Sequence, residues 1–238
     1  MRAHRVRALL MGGQACVFYG AAEFSRDTDF AILADAKNLS RLRKALNELS
    51  AGPIAVPPLE LKFLRKGHAI HFRCRHPEAP RLRVDVMSKM RGVDSFGQLW
   101  KRRTTLDLPG GEQCDLLSLP DLVQAKKTQR DKDWPMIRRL IEANFFEKRK
   151  KATAAHIRFW LKELRTPELL TEVARSNPKV VKLLLSKRRL LGFALAGQIE
   201  DLSAALTIEE AIEREKDRLY WQPLRKELEQ LRHLRFKK

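Results

Sequence analysis

The sequence predicts an α/β (α+β) fold: a small mixed sheet with helices, followed by an all-helical C-terminal domain. Two observations predict it. Short runs between residues 6 and 87 alternate apolar and polar side chains, the two-residue period of strands with one covered face. From Ser118 onward the pattern turns helical, with repeated helix-start signals. The predicted boundary gives domains 1–135 and 136–238.

Val6–Met11 is a short β-like run that ends at Gly12-Gly13, and a small helix over Gln14–Tyr19 follows. Thr28–Leu33 reads as a second strand. Leu39, Leu42, Ala45, Leu46 and Leu49 have helical spacing. The Pro-rich stretch Gly52–Pro58 is a turn. Three more strands are expected, over Leu59–Leu64, Ala69–Arg75 and Arg81–Met87. In the last two, Phe72, Cys74, Leu82, Val84 and Val86 mark a covered face. His71, Arg73, Arg75, Arg81, Arg83 and Asp85 mark an open, charged one. Ser118 is placed to cap a helix with Pro120 in its first turn. Thr166-Pro167 and Asn177-Pro178 read as further helix starts, and Thr207–Glu210 has capping-box spacing. Leu224, Leu228, Leu231 and Leu234 form an apolar stripe on a last helix after Pro223.

The composition, 44% hydrophobic and 32% charged, is that of a folded globular chain rather than a disordered one. No apolar run reaches the length of a membrane span, and the basic start lacks the pattern of a secretory signal. Three widely separated cysteines, Cys16, Cys74 and Cys114, suggest no disulfide framework and fit a reducing cytoplasm. The net charge of +19 is spread along the chain, with clusters at 101–103, 148–151, 187–189 and 235–238. Such an excess points to a polyanionic partner, because neutralised phosphates release condensed counterions.

Three features converge on one chemistry. Gly12-Gly13 lies between a strand and a helix, where glycine lets backbone approach a phosphate closely. Asp27 and Asp29, two residues apart on a strand, project from one face and repel unless a cation lies between them. Asp85 interrupts an apolar strand and wants a specific partner. Hard oxygen ligands of this kind suit magnesium, which completes its shell with water and substrate phosphates.

The order of these features resembles the DNA polymerase beta-type nucleotidyltransferase superfamily. Leu10-Met11-Gly12-Gly13, a spacer, Asp27-Thr28-Asp29-Phe30 and Val84-Asp85-Val86 carry the likeness. Met11–Ala15, Tyr19-Gly20, Ser25–Asp29, Leu117–Lys126 and Arg130–Asp133 are similar to the abortive-infection, toxin–antitoxin type of bacterial nucleotidyltransferase. The likeness covers roughly residues 5 to 135. It implies a triphosphate grip by Gly12, Gly13 and Lys126, and a metal-binding catalytic set of Asp27, Asp29 and Asp85. Two Mg2+ ions are implied, with Mn2+ as a substitute. Phe24-Ser25-Arg26 stands where the family has Arg-x-Thr, which leaves Ser25 a general phosphate contact. Lys126 falls on the apolar stripe of Leu119, Leu122 and Val123, so its ammonium must snorkel or meet an anion.

Other constellations carry less. His71 points away from Cys74 and His76, which argues against zinc. Arg149 and His156 have a spacing reminiscent of helical RNase toxins, yet in a basic helix they read as surface residues. Trp160, among Ile157, Leu161 and Leu164, reads as core, and Trp100 beside Lys101-Arg102-Arg103 as a nucleic-acid contact. The expectation is therefore transfer of a nucleoside monophosphate from a nucleoside triphosphate to an acceptor hydroxyl, RNA or tRNA by charge. The alternatives are AMP transfer to a protein, a toxin–antitoxin component that binds an antitoxin-like partner, and a non-catalytic RNA-binding relic of the fold.

Overall fold

Alternation of side chains along β1 (Ala8–Met11), β2 (Asp27–Ile32), β4 (Ile70–Arg73) and β5 (Arg83–Met87) builds a sheet with unlike faces. The computed structural model describes residues 1–236. Lys237 and Lys238, the end of the last basic cluster, lie outside the described residues. The sheet is completed by the two-residue β3 (Gly52–Pro53) and the hairpin β6 (Thr104–Asp107) and β7 (Gln113–Leu116). Its order is β3-β4-β5-β2-β1-β7-β6. The pairs β2–β5 and β1–β7 are parallel and the others antiparallel.

One face is apolar. Ala8, Ile32, Val84, Val86, Ile70 and Phe72 form a buried cluster with Leu39, Leu42, Ala45 and Leu46 of α2 (Ala36–Glu48). Asp35 starts that helix by accepting a hydrogen bond from the Asn38 amide at 2.6 Å. Asn38 in turn closes the gap to β1, donating to the Arg7 and Leu33 carbonyls at 3.0 and 2.8 Å. Covering this face leaves the charged one for α1 (Gly12–Phe18) and the site.

Three expectations need correction. Leu59–Leu64 is not a strand: α3 covers Leu61–Lys66, with Phe63 and Leu64 buried. Gly67, at φ 112°, ends it as a left-handed cap, and the Gly67 and His68 amides return to the Phe63 carbonyl. Thr207–Glu210 caps nothing, because α11 runs unbroken from Ile199 to Phe236, and the Thr207 hydroxyl donates back to the Ser203 carbonyl at 3.1 Å. Pro223 lies inside that helix rather than at its start. The hairpin β6–β7 and the helix α4 (Phe96–Lys101) add elements that the alternation pattern does not announce.

The chain divides into two compact units. Met1–Lys126 and the chain from Leu219 on form one, and Lys127–Arg218 forms the other. The division thus falls nine residues before the expected boundary at 135, and the end of α11 groups with the sheet. In the first unit Lys66 and His68 both bind Glu227, at 2.6 and 2.9 Å, which ties that end down. The second unit is helical: α6 (Asp133–Lys148), α7 (Ala154–Glu163), α8 (Pro167–Ser176), α9 (Pro178–Leu184), α10 (Leu191–Ala196) and α11 to Arg218. Pro167 and Pro178 open α8 and α9, since a first-turn proline loses no helical hydrogen bond. Trp160 is core, with its indole N–H on Asn144 Oδ1 at 2.9 Å. Among the described residues no helix is long and apolar enough to cross a membrane.

Candidate active site on the charged sheet face

Strand register assembles the site. In the parallel pair β2–β5, Asp27 lies opposite Arg83 and Asp29 opposite Asp85. Across β4–β5, His71 lies opposite Asp85 and Arg73 opposite Arg83. Across β1–β2, Met11 lies opposite Asp29. Directly opposed residues share a face, so one row reads Met11, Asp29, Asp85, His71 and the next Asp27, Arg83, Arg73. Asp27, Asp29 and Asp85 are therefore on one face, with Asp29 and Asp85 as neighbours.

Gly12 and Gly13 close the rim. Gly12 follows β1 with φ +68°, and a Cβ built on it would stand 1.9 Å from Asp29 Oδ2 and 2.6 Å from Asp29 Cγ. A Cβ on Gly13 would stand 2.3 Å from Ser25 Oγ. The glycines are needed because the Asp29 carboxylate and the Ser25 hydroxyl lie against their backbone. Gln14 Nε2 donates to the Ser25 carbonyl at 2.8 Å, and Ser25 Oγ to the Asp27 carbonyl at 3.3 Å, which fixes the loop ahead of β2. Glycines, Ser25 and the first two aspartates thus form one patch.

The electrostatics centre on Asp85. Arg83 holds it with a forked pair, Nε to Oδ1 at 3.0 Å and Nη2 to Oδ2 at 2.9 Å, and His71 Nδ1 is 2.9 Å from Oδ1. Arg83 Nη1 also reaches within 4.0 Å of Asp27 Oδ2. Burial pushes the Asp85 carboxyl up, but the hydrogen bonds and charges of His71 and Arg83 outweigh it and hold it below the ordinary carboxylate range. The same contact raises the Arg83 guanidinium. Sequence reasoning does not single out His71 as a site residue, although alternation puts it on the charged face, where it lies opposite Asp85.

The three carboxylates share a face but are not drawn into a cage. Among the described residues no group of three or more His, Cys, Asp and Glu side chains is close enough to hold a metal ion. The positive charge facing Asp27 and Asp85 is the Arg83 guanidinium itself. The donor set fits magnesium in its chemistry, hard carboxylate oxygens with Asp29 and Asp85 in adjacent positions. An ion held here would meet the Arg83 fork on the same Asp85 oxygens.

Lys126 ends α5 (Leu119–Lys126), which packs on α1. The start of α5 is firmly set. Asp121, buried, accepts both arms of Arg102 at 2.7 Å and the Ser118 hydroxyl at 2.6 Å. Tyr19, from the end of α1, donates to the Leu117 carbonyl at 2.8 Å, and its hydroxyl lies 2.7 Å from the Thr104 hydroxyl, which can donate to it. Those contacts give Tyr19, Leu117, Ser118 and Asp121 a scaffolding role.

The other candidates separate. Cys74 is in the apolar core and His71 on the charged face, so the two diverge. The guanidiniums of Arg7 and Arg103 lie over the Trp100 ring, at 5.6 and 4.3 Å from its centroid. His156 closes a capping box with Thr153 and stacks on Trp160, and Arg149 lies over Phe146. In the second unit, Asp133 is buried and accepts from Thr128 Oγ1 and Arg130 Nε at 2.6 and 2.7 Å, while Asp131 is exposed. Neither a family model nor a curated protein matches this chain.

Proposed function

We propose that the chain is a metal-dependent nucleotidyltransferase that moves a nucleoside monophosphate from a triphosphate to an acceptor hydroxyl. The observation that carries this reading is the neighbouring of Asp29 and Asp85 on parallel strands, with Asp27 on the same face. The close approach of Gly12 to the Asp29 carboxylate adds to it.

Asp27, Asp29 and Asp85 would hold the ions. Bound Mg2+ supplies charge neutralisation of the phosphates and lowers the pKa of the attacking hydroxyl. Gly12 and Gly13 offer backbone without side chains to the triphosphate, and Lys126 and Ser25 give it a cation and a hydroxyl. Asp85, nearest the acceptor, takes the hydroxyl proton. The acceptor oxygen bonds to the α-phosphorus, the bond from that phosphorus to the bridging oxygen breaks, and pyrophosphate leaves. Arg83 must leave Asp85 for this to happen, and the β- and γ-phosphates offer its guanidinium a new partner.

RNA is the acceptor class favoured here. Arg73, Arg75 and Arg81 are exposed beside the site, and the net charge of +19 supplies long-range attraction. The test is incubation with Mg2+, each α-labelled triphosphate in turn, and total RNA or total protein. An Asp27→Asn, Asp29→Asn double variant serves as control. Label in RNA that vanishes in the control supports the reading. Label in protein moves the acceptor to a protein hydroxyl. No label, with RNA binding equal in both proteins, favours the non-catalytic RNA-binding relic of the fold.

A further inference from the structure

The second unit contains a buried guanidinium with an enclosed N–H that no described residue accepts. Arg165, between α7 and α8, has a side chain only 8% exposed. A guanidinium carries five N–H donors, yet among the described residues Arg165 donates no hydrogen bond. Its Nε is enclosed and without a partner. Its nearest carboxylate oxygen, Glu209 Oε2, is 3.3 Å from Nη2, and its plane lies over the Trp134 ring at 4.5 Å. Glu209 is already committed to Arg188, which binds it through Nε and Nη2 at 3.0 and 2.9 Å. Arg188 spends its other donors on the Leu161 and Leu164 carbonyls. Two buried guanidiniums thus share the Glu209 carboxylate, while Glu163 and Glu210 attract Arg165 only from farther away, an arrangement that is costly while donors lack partners. Burial accordingly pushes the Arg165 guanidinium below its ordinary value.

Arg165 opens onto a cleft of about 400 Å³, within the size range of small-molecule sites. Two further features of the cleft favour an anion. Arg138 lines one wall, paired with Glu142 at 2.9 Å. The N-terminus of α8 lies at the edge, marked by Pro167, which has no N–H; Glu168 stands in its first turn, and Thr166 leaves it uncapped because its hydroxyl binds Glu142 instead. Helix N-termini present free N–H groups and positive partial charge. On the opposite side Arg214 is held by Glu210 and by exposed Asp131, two carboxylates to one guanidinium, so that side repels an anion. The attraction is therefore one-sided, strongest at the Arg165 floor.

We propose that this cleft is a binding site for the phosphate group of a small phosphorylated molecule, with Arg165 as its principal contact. It lies wholly within Lys127–Arg218 and does not depend on the nucleotidyltransferase reading. A phosphate oxygen brought to Arg165 accepts from the guanidinium and meets the uncapped α8 amides and Arg138 from the side. Phosphate is favoured over carboxylate because its oxygens point in several directions at once.

Inorganic phosphate, pyrophosphate and citrate, each at matched ionic strength with EDTA present, are titrated into the full chain by calorimetry and thermal denaturation. EDTA silences metal-dependent binding at the sheet face, and the Asp27→Asn, Asp29→Asn variant must bind phosphate like the parent. Arg165→Gln is expected to weaken phosphate at least about tenfold, and Arg138→Gln to weaken it less. Arg165→Met is expected to raise Tm in phosphate-free buffer, by removing the unsatisfied charge, and to abolish the rise in Tm that phosphate causes. Should Arg165→Gln fold poorly, Arg165→Lys keeps the charge without the fork and is expected to weaken phosphate as well. Three results overturn the proposal: phosphate no better than chloride, unchanged affinity in Arg165→Gln or Arg165→Lys, or binding of citrate without phosphate. A fall in Tm for Arg165→Met without phosphate would make Arg165 a scaffold residue and overturn it too.

Discussion

Gly12→Ala isolates the contact that joins the glycine turn to the carboxylates. Two penalties arise at this position. The residue has φ +68°, and a non-glycine residue in the left-handed region costs roughly 1–2 kcal/mol. The new Cβ also lands 1.9 Å from Asp29 Oδ2 and 2.8 Å from Asp29 Cβ. Because the Asp29 Cβ is itself too close, rotation of the carboxylate alone does not relieve the overlap, and β2 or the turn must shift. Such overpacking adds about 1–3 kcal/mol. Gly20→Ala supplies the control: its φ is +73°, and nothing lies within 4 Å of a built Cβ. It pays the backbone penalty alone. Urea unfolding of the two variants should therefore separate them by about 1–3 kcal/mol. Label transfer should fall about a hundredfold in Gly12→Ala, the scale of a misplaced catalytic group, and stay near the parent in Gly20→Ala. Equal stabilities and equal activities would refute the claim that Asp29 is seated against Gly12.

Other perturbations test the remaining parts. Arg83→Gln removes the forked partner of Asp85 and should cost about 1 kcal/mol in metal-free buffer, given the half-open position of Arg83. It should also tighten Mn2+ binding, measured by electron paramagnetic resonance, whereas weaker Mn2+ binding would contradict the competition between ion and guanidinium. The Asp85 carboxyl is held below its ordinary value, so its contribution is complete above about pH 4 and is lost as pH falls through the lower folded value. Asp85→Asn should flatten that acid limb in unfolding measured from about pH 2 to 5, and an unchanged limb would place the acid sensitivity elsewhere. Lys126→Met should raise KM for the triphosphate about tenfold with little change in Tm, and an unaltered KM would remove Lys126 from the nucleotide grip.

Local rules reached part of this architecture. The alternation around Phe72, Val84 and Val86 is enough to assign a covered face, because strand geometry is set by the backbone of the strand itself. Pro167 and Pro178 announce helix starts for a similarly local reason. Leu59–Leu64 misleads because apolar residues at 59, 61, 63 and 64 fit both periods over so short a run. The left-handed cap at Gly67 decides for a helix there. Thr207–Glu210 has capping-box spacing, but a cap needs a free helix end, and α11 passes straight through. Arg165 offers no local signal at all. Its isolation depends on Glu209 being spent on Arg188, a matter of which helices meet.

The sequence by itself determined that Asp27 and Asp29 point the same way, and that Asp85 belongs to a charged strand face, because side-chain direction is fixed by neighbouring peptide units. Only the tertiary structure decided that β2 and β5 run side by side and parallel, with Asp29 opposite Asp85 and His71 beyond it. A register shift of one residue would turn one strand's carboxylates to the other face. That choice is made by burial of the whole apolar face against α2, an energy summed over many distant residues that no short stretch of chain carries.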